Sequence, residues 1–293
     1  MKQTIGFIGL GVMGKSMAKH ILEAGYHLNI YTRTKEKAEE LLSLGAEWKN
    51  TVAELSNESD IIITMIGYPQ DVEHVYLDEA GIISSSRPGT YIIDMTTSQP
   101  SLAKRIYEQA KQKNIYALDA PVSGGDIGAR EARLAIMVGG DREAFDHCYP
   151  LFEKMGQNTV YQGGAGSGQH TKMCNQIAIA SGMIGVCEAV SYAKKSGLDP
   201  ANVLKSITTG AAGSWSLSNL APRMLEEDYE PGFFVKHFIK DMGIALDESN
   251  EMELFTPGLK LAHELYEKLA EEGNENKGTQ ALVKLWDKAE VNN

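Results

Sequence analysis

Two polar residues stand where an apolar helix is expected. Lys172 and Asn175 lie three apart in a run from about Gln169 to Ser196 that is otherwise rich in Ala, Ile, Val and Met. At helical spacing i and i+3 share a face. A lysine on such a helix needs a reason to be there, and the chemistry open to it is proton transfer to and from an oxygen. The amide of Asn175 can donate to an oxygen of a bound molecule. Ser123-Gly124-Gly125 forms a second candidate: it follows an apolar strand, and N–H groups in such a turn can bind a carboxylate while Ser123 adds a hydroxyl. A plain tight turn is the alternative.

The third candidate is Gly9-Leu10-Gly11-Val12-Met13-Gly14, a GxGxxG that follows a short strand and opens a helix. The first glycine permits the tight turn, the second lets backbone approach a pyrophosphate, and the third lets helix and strand lie close. The helix start then offers N–H groups and a partial positive charge to phosphate. With a dinucleotide bound there, a hydride delivered to a carbonyl would leave an alkoxide in need of a proton. Lys172, its pKa drawn down by burial on the apolar helix, would supply it, and would take it back in the oxidative direction.

These residues need elements to hold them. Thr4 to Ile8, Leu28 to Tyr31, Ile61 to Met65, Tyr91 to Asp94, Tyr116 to Ala120 and Leu134 to Val138 read as strands. Met13 to Ala24, Lys35 to Leu44 and Pro100 to Lys113 read as helices between them. Repeated strand–helix units imply a parallel sheet covered on both faces. After Gly163-Gly164-Ala165-Gly166-Ser167-Gly168 the pattern turns helical: Gln169 to Ser196, Pro200 to Ile207, Val235 to Asn250, Pro257 to Glu272 and Thr279 to Lys288. The fold class expected is α/β: a Rossmann-type doubly wound dinucleotide-binding domain over 1–163, then an all-helical substrate and dimerisation domain over 164–293 that begins with a long interdomain helix.

The segment Phe7 to Met17 resembles the opening signature of the β-hydroxyacid dehydrogenases, which include 3-hydroxyisobutyrate dehydrogenase, tartronate semialdehyde reductase and the glyoxylate/succinic semialdehyde reductases. Asp119-Ala120-Pro121-Val122-Ser123-Gly124-Gly125 is similar to the family's substrate-binding segment, Gly166 to Asn175 to its catalytic segment, and Lys240-Asp241 to a late pair whose lysine lies near the nicotinamide. The resemblance covers the whole chain in order. It implies that Lys172 is catalytic and that Asn175 helps hold substrate. It also implies that Met65, Thr96 and Thr97 line the cofactor and that Lys240 approaches the nicotinamide ribose or substrate. Phe233, Phe234 and Trp215 are left open between pocket wall and core. After Met65 the chain reads Ile66-Gly67-Tyr68-Pro69-Gln70, a departure from the family's usual loop. Cys174 before Asn175, where 6-phosphogluconate dehydrogenases carry His, sets that relative aside, and the retained Lys172 sets aside the imine reductases.

The end of the second strand selects the cofactor. An NAD enzyme usually has an acid there for the ribose 2′-OH. This chain has Thr32-Arg33-Thr34, with Lys37 adding charge. The planar fork of Arg33 suits a 2′-phosphate and can stack on adenine, so the reading favours NADP over NAD.

With Lys plus Arg 28 against Asp plus Glu 39, the net charge is -11. No basic run is present, and neither nucleic acid nor an anionic membrane is an expected partner. Cys148, Cys174 and Cys187 form no CxxC or Cys/His cluster, so no metal site is expected and reduced thiols in a cytoplasmic protein are. The start MKQTIGFIGL does not read as a signal peptide, and Cys174 to Val190, broken by Asn175, Gln176, Ser181 and Glu188, reads as a buried helix rather than a membrane span. The helix from about Gln169 is apolar nearly all round and needs partners on every side, which points to a homodimer or homotetramer. The expected function is hydride transfer between NADP(H) or NAD(H) and a small 3-hydroxy acid or its semialdehyde. The alternative of another class is a non-catalytic dinucleotide-binding sensor or scaffold, which would have no use for Lys172 and Asn175.

Overall fold

The computed structural model describes residues 3–289. Contacts divide the chain after Lys172 into two compact units. Among the described residues the first holds nine strands: β1 Thr4–Ile8, β2 His27–Tyr31, β3 Glu47–Trp48, β4 Ile61–Thr64, β5 Tyr91–Asp94, β6 Tyr116–Asp119, β7 Val122–Ser123, β8 Leu134–Gly140 and β9 Gly156–Gly163. Its helices are α1 Gly14–Glu23, α2 Glu39–Ser43, α3 Val52–Asn57, α4 Pro69–Leu77, α5 Ile82–Ser85, α6 Pro100–Gln112, α7 Gly125–Arg130 and α8 Arg142–Phe152. The sheet order β3-β2-β1-β4-β5-β6 is parallel throughout. This is the doubly wound dinucleotide-binding order, with its reversal at β1 and β4, where ligands bind beyond the strand ends.

The strands are apolar on both faces because both are covered. Ile5, Phe7, Ile61, Ile63 and Ile93 enter one core with Met17 and Ile21 of α1 and Phe145 and Leu151 of α8. Ile8, Ile62 and Ile92 enter the other with Leu55 of α3, Val72 and Tyr76 of α4 and Leu102 and Ile106 of α6.

The parallel order expected from the strand–helix units ends at β6. Strand β8 runs antiparallel to β6 and β7, pairing Asp119 with Gly139 and Ser123 with Ala135, so β6 and β7 form one bent line along β8 interrupted at Ala120-Pro121. Pro121 has no N–H to give, and its carbonyl accepts from Met137 N–H at 3.0 Å. β9, parallel to β8, was not legible in sequence, since Gly156-Gln157-Asn158-Thr159 lacks an apolar period and carries no obligation to be buried. The stretch from Lys35 is a 3₁₀ turn, Lys35–Ala38, followed by α2, rather than one helix.

The second unit is helical among the described residues, apart from an isolated bridge between Phe234 and Gly278. Its elements are α9 Ser167–Lys195, which starts in the first unit, then α10 Pro200–Ile207, α11 Trp215–Asn219, α12 Ala221–Leu225, α13 Val235–Glu251, α14 Pro257–Leu269 and α15 Lys284–Ala289. Met173, Ala180, Met183, Cys187 and Val190 of α9 join Phe238 and Met242 of α13 and Tyr266 of α14 in one core. By length and composition α9 is the one helix among the described residues that could cross a bilayer, but 44% of its most apolar window is buried inside the protein. Its other side, including Ile179, Gly182, Gly185 and Tyr192, is exposed, so the core covers only part of the circumference.

Candidate functional site

The carboxyl ends of β1, β2, β4 and β5 bring the phosphate loop, Thr32 to Thr34, Met65, and Thr96 with Thr97 to one edge of the sheet. Gly9 has φ +100, a conformation that side chains resist, and a Cβ there would run into the Met65 carbonyl. A Cβ on Gly14 would strike the Gly9 carbonyl and lie 3.2 Å from the Phe7 ring, whereas one on Gly11 would meet nothing within 4 Å. The open glycine is the one whose backbone must approach a pyrophosphate. Met13 starts α1 with no side-chain cap, and no acid stands in the first turn, so no side chain competes with an anion for the helix start. The cradle therefore fits a dinucleotide pyrophosphate.

Arg33 is 81% exposed and its Nη1 lies 3.2 Å from Asp71 Oδ1 on α4. No acid stands at the end of β2, but the fold brings one to Arg33 from 38 residues away. Thr96 is buried. Its Oγ1 accepts the Ile66 N–H at 3.0 Å and its own N–H donates to Asp94 Oδ1 at 3.0 Å, tying the loops after β4 and β5 together. Gly124 (φ +135) and Gly125 (φ +63) make the turn from β7 into α7, with Ser123 opposite Ala135.

Lys172 is 7% exposed and Asn175 half-buried, one turn apart on α9. In the second unit Asn175 Nδ2 donates to Gln176 Oε1 at 2.8 Å, and Gln176 Nε2 donates to Asp241 Oδ2 at 2.5 Å. Lys240 Nζ lies 2.9 Å from Asp241 Oδ1. The structure thus joins Asn175 and Lys240 by one buried chain of side chains. Of the three aromatic residues left open in sequence, Phe233 packs against the helical core and Trp215 is exposed.

Sequence reasoning gave no individual role to Asp119, Gln169, Gln176 or Asp71. The first three carried a signal, as polar residues inside apolar elements; Asp71 carried none. Asp119 Oδ1 accepts the Gly166 N–H and Oδ2 the Gln169 N–H, each at 2.8 Å. It caps the helix that bears Lys172. Burial pushes its carboxyl up to about 6, against the pull of those two N–H groups, and Asp94 adds to the rise.

The chain matches the family described as "NAD binding domain of 6-phosphogluconate dehydrogenase" over residues 4–164 and that described as "NAD-binding of NADP-dependent 3-hydroxyisobutyrate dehydrogenase" over 166–286. It is 69% identical over 288 residues to a Bacillus subtilis (strain 168) protein named "Uncharacterized oxidoreductase YkwC", covering 98% of this chain and all of that one. It is 46% identical over 280 residues to the Arabidopsis thaliana "Probable 3-hydroxyisobutyrate dehydrogenase-like 1, mitochondrial", covering 95% and 84%. The chain belongs to the β-hydroxyacid dehydrogenase family. Among solved structures, the Mycobacterium tuberculosis 3-hydroxyisobutyrate dehydrogenase with L-serine superposes with a TM-score of 0.89 at 30% identity, covering 97% of this chain and 99% of that one. As a β-hydroxyacid dehydrogenase the protein is an NAD(P)-dependent oxidoreductase acting on CH–OH groups, and a sensor without turnover is set aside.

The raised carboxyl of Asp119 has a defined pH signature. In the folded protein it binds a proton below about pH 6, in the unfolded chain only near 3.8, so its contribution to stability grows as pH falls through 6 and is lost as pH rises through it. A displacement of that size corresponds to about 3 kcal/mol at most. Urea unfolding of wild type and Asp119→Asn at pH 5 and 7.5 should show wild type gaining about 1 kcal/mol on the variant at the lower pH; parallel behaviour at both would contradict the assignment.

Proposed function

We propose that the protein interconverts a small 3-hydroxy acid and its semialdehyde, with Lys172 as general acid in reduction and general base in oxidation. The observation that carries this is a buried lysine on a helix whose first turn is bonded to the loop after β5. Gly9 to Gly14 would hold the pyrophosphate, Met65, Thr96 and Thr97 the neighbouring cofactor groups, and the bound dinucleotide gives or takes the hydride. The Ser123-Gly124-Gly125 turn offers N–H groups and a hydroxyl to the substrate carboxylate. Asn175 steadies a substrate oxygen, its amide oriented by Gln176. Lys172 moves one proton to or from the substrate oxygen as that oxygen gains or loses charge. Lys240 is proposed as a charged contact for cofactor or substrate. Names of relatives, 3-hydroxyisobutyrate dehydrogenase and 2-hydroxy-3-oxopropionate reductase among them, support the substrate class.

For the cofactor we favour NADP(H), on the fork of Arg33. The second reading, NAD(H), is favoured by Asp71, whose carboxylate neutralises that guanidinium and would repel a 2′-phosphate. For assembly we propose a homodimer or homotetramer. The exposed side of α9 presents Ile179, Gly182, Gly185 and Tyr192, and after α13 Met252, Leu254 and Phe255 are exposed too, Phe255 at 86%. Exposed apolar side chains of this kind suit burial against a second copy.

Absorbance at the NADPH band, with 3-hydroxyisobutyrate, glyoxylate and succinic semialdehyde as a panel, tests the reaction. Lys172→Ala should cut kcat by about 10² to 10⁴ while cofactor affinity changes little, and Lys172→Arg should not restore it, since guanidinium keeps its proton. Near-normal kcat in Lys172→Ala would overturn the mechanism. Arg33→Asp should weaken NADP(H) binding by about 2 kcal/mol, roughly thirtyfold, and spare NAD(H); equal losses would remove the basis for NADP. Light scattering at micromolar concentration should give a mass of two or four chains, and a 32.0 kDa particle would refute assembly.

A further inference from the structure

Among the polar side chains of the first unit, Gln169 is fully buried and hydrogen-bonds to neither the phosphate loop nor the carboxylate turn. It occupies the third position of α9. Gly166 accepts the first intrahelical bond, from His170 N–H at 2.9 Å, and so acts as the residue that starts the helix. In an ordinary capping box the starting residue's side chain takes the N–H of the third position, and the third residue's side chain reaches back to the starting residue's N–H. Gly166 has no side chain, and a Cβ there would sit 3.1 Å from the Pro100 carbonyl at φ +87. Asp119, arriving from β6, takes both N–H groups instead. The side chain of Gln169 is thereby released from capping.

It is used elsewhere. Nε2 donates to the Thr96 carbonyl at 2.7 Å, and Oε1 accepts the Ser98 N–H at 3.0 Å. The amide cannot be turned over, because that would set N–H against N–H and oxygen against oxygen. Thr96 in turn holds the Ile66 N–H through its hydroxyl, so the bonds run on into the segment after Met65. Lys172 follows Gln169 by three residues and shares its face of the helix. A slip or rotation of the first turn of α9 against the loop 95–98 would therefore carry Lys172 with it.

We infer that Gln169 is a positioning residue for the reaction: its amide locks the first turn of the Lys172 helix to the backbone of Thr96 and Ser98, setting the lysine against the cofactor loops. This rests on the reading of Lys172 as the proton carrier. Misplacement of a reacting group by about 1 Å can cost on the order of a hundredfold in rate, without loss of the binding contacts themselves.

The test uses the full-length enzyme with Gln169→Leu, which removes both bonds at similar volume, and Gln169→Glu, which keeps the acceptor for Ser98 N–H and loses the donor to Thr96. The readouts are kcat on the best substrate of the panel, Kd for NADPH and NADH by fluorescence, and the primary isotope effect with C4-deuterated cofactor. We expect kcat to fall roughly ten- to a hundredfold, with Kd within about threefold, and the isotope effect to rise as the chemical step becomes limiting. Unchanged kcat in folded variants would overturn the inference. So would losses of kcat and binding in parallel with an unchanged isotope effect, or failure of both variants to fold, either of which makes Gln169 an anchor of the fold alone. Lys172→Ala run alongside separates the two levels: if it keeps normal kcat, the proton-carrier reading fails; if it loses kcat while both Gln169 variants keep theirs, only the positioning role fails.

Discussion

The first turn of α9 is held by a carboxylate that does not belong to the helix. Gly166 cannot cap it, having no side chain and a backbone twisted to φ +87. Asp119 from β6 accepts both the Gly166 and the Gln169 N–H groups. A negative charge at a helix start is favoured by the dipole and by the unpaired N–H groups, yet burial works against it strongly enough to raise the carboxyl to about 6. The fold tolerates that cost at the one point where the lysine-bearing helix leaves the nucleotide-binding sheet. Close approach is part of the same arrangement. A Cβ on Gly139 would meet Asp119 Oδ1 at 2.6 Å and the Gly168 N at 2.7 Å, and one on Gly168 would meet the Asp119 carbonyl at 2.5 Å.

Two glycine-rich turns thus lead into helices in the first unit and serve opposite ends. Before α1 the glycines leave the N–H groups without a side-chain cap or a first-turn acid, which is what an incoming phosphate needs. Before α9 the glycines let strand and helix close on each other, and Asp119 consumes the N–H groups from within. The difference between a ligand site and a structural joint lies in who satisfies the helix start.

The polar residues of α9 extend this logic along the helix. Gln169 binds the loop after β5, Gln176 binds Asp241 of α13, and Lys172 and Asn175 lie between and beside them. In an apolar helix each buried amide must find partners or cost free energy, so the two glutamines resist rotation of the stretch that presents the lysine. Arg33 is held more lightly. Its pairing with Asp71 is at the surface, where such bridges contribute little, and a ligand with a suitable charge can compete for it.

By itself the sequence was enough to show the strand–glycine–helix phosphate loop, the alternating first half, the helical second half and the Lys172–Asn175 pair, because each is written in neighbouring residues: a 3.6-residue period, a turn glycine, an apolar strand. The tertiary structure alone decided the antiparallel return of β8 along β6 and β7 and the inclusion of the polar strand β9, since pairing direction and edge position leave no local pattern. It alone brought Asp119 to residues 47 and 50 positions away, Gln169 to Thr96 and Ser98, Gln176 to Asp241, and Asp71 to Arg33. A hydrogen bond between distant residues depends on where the packed core places two backbones, and one-dimensional spacing contains no record of that.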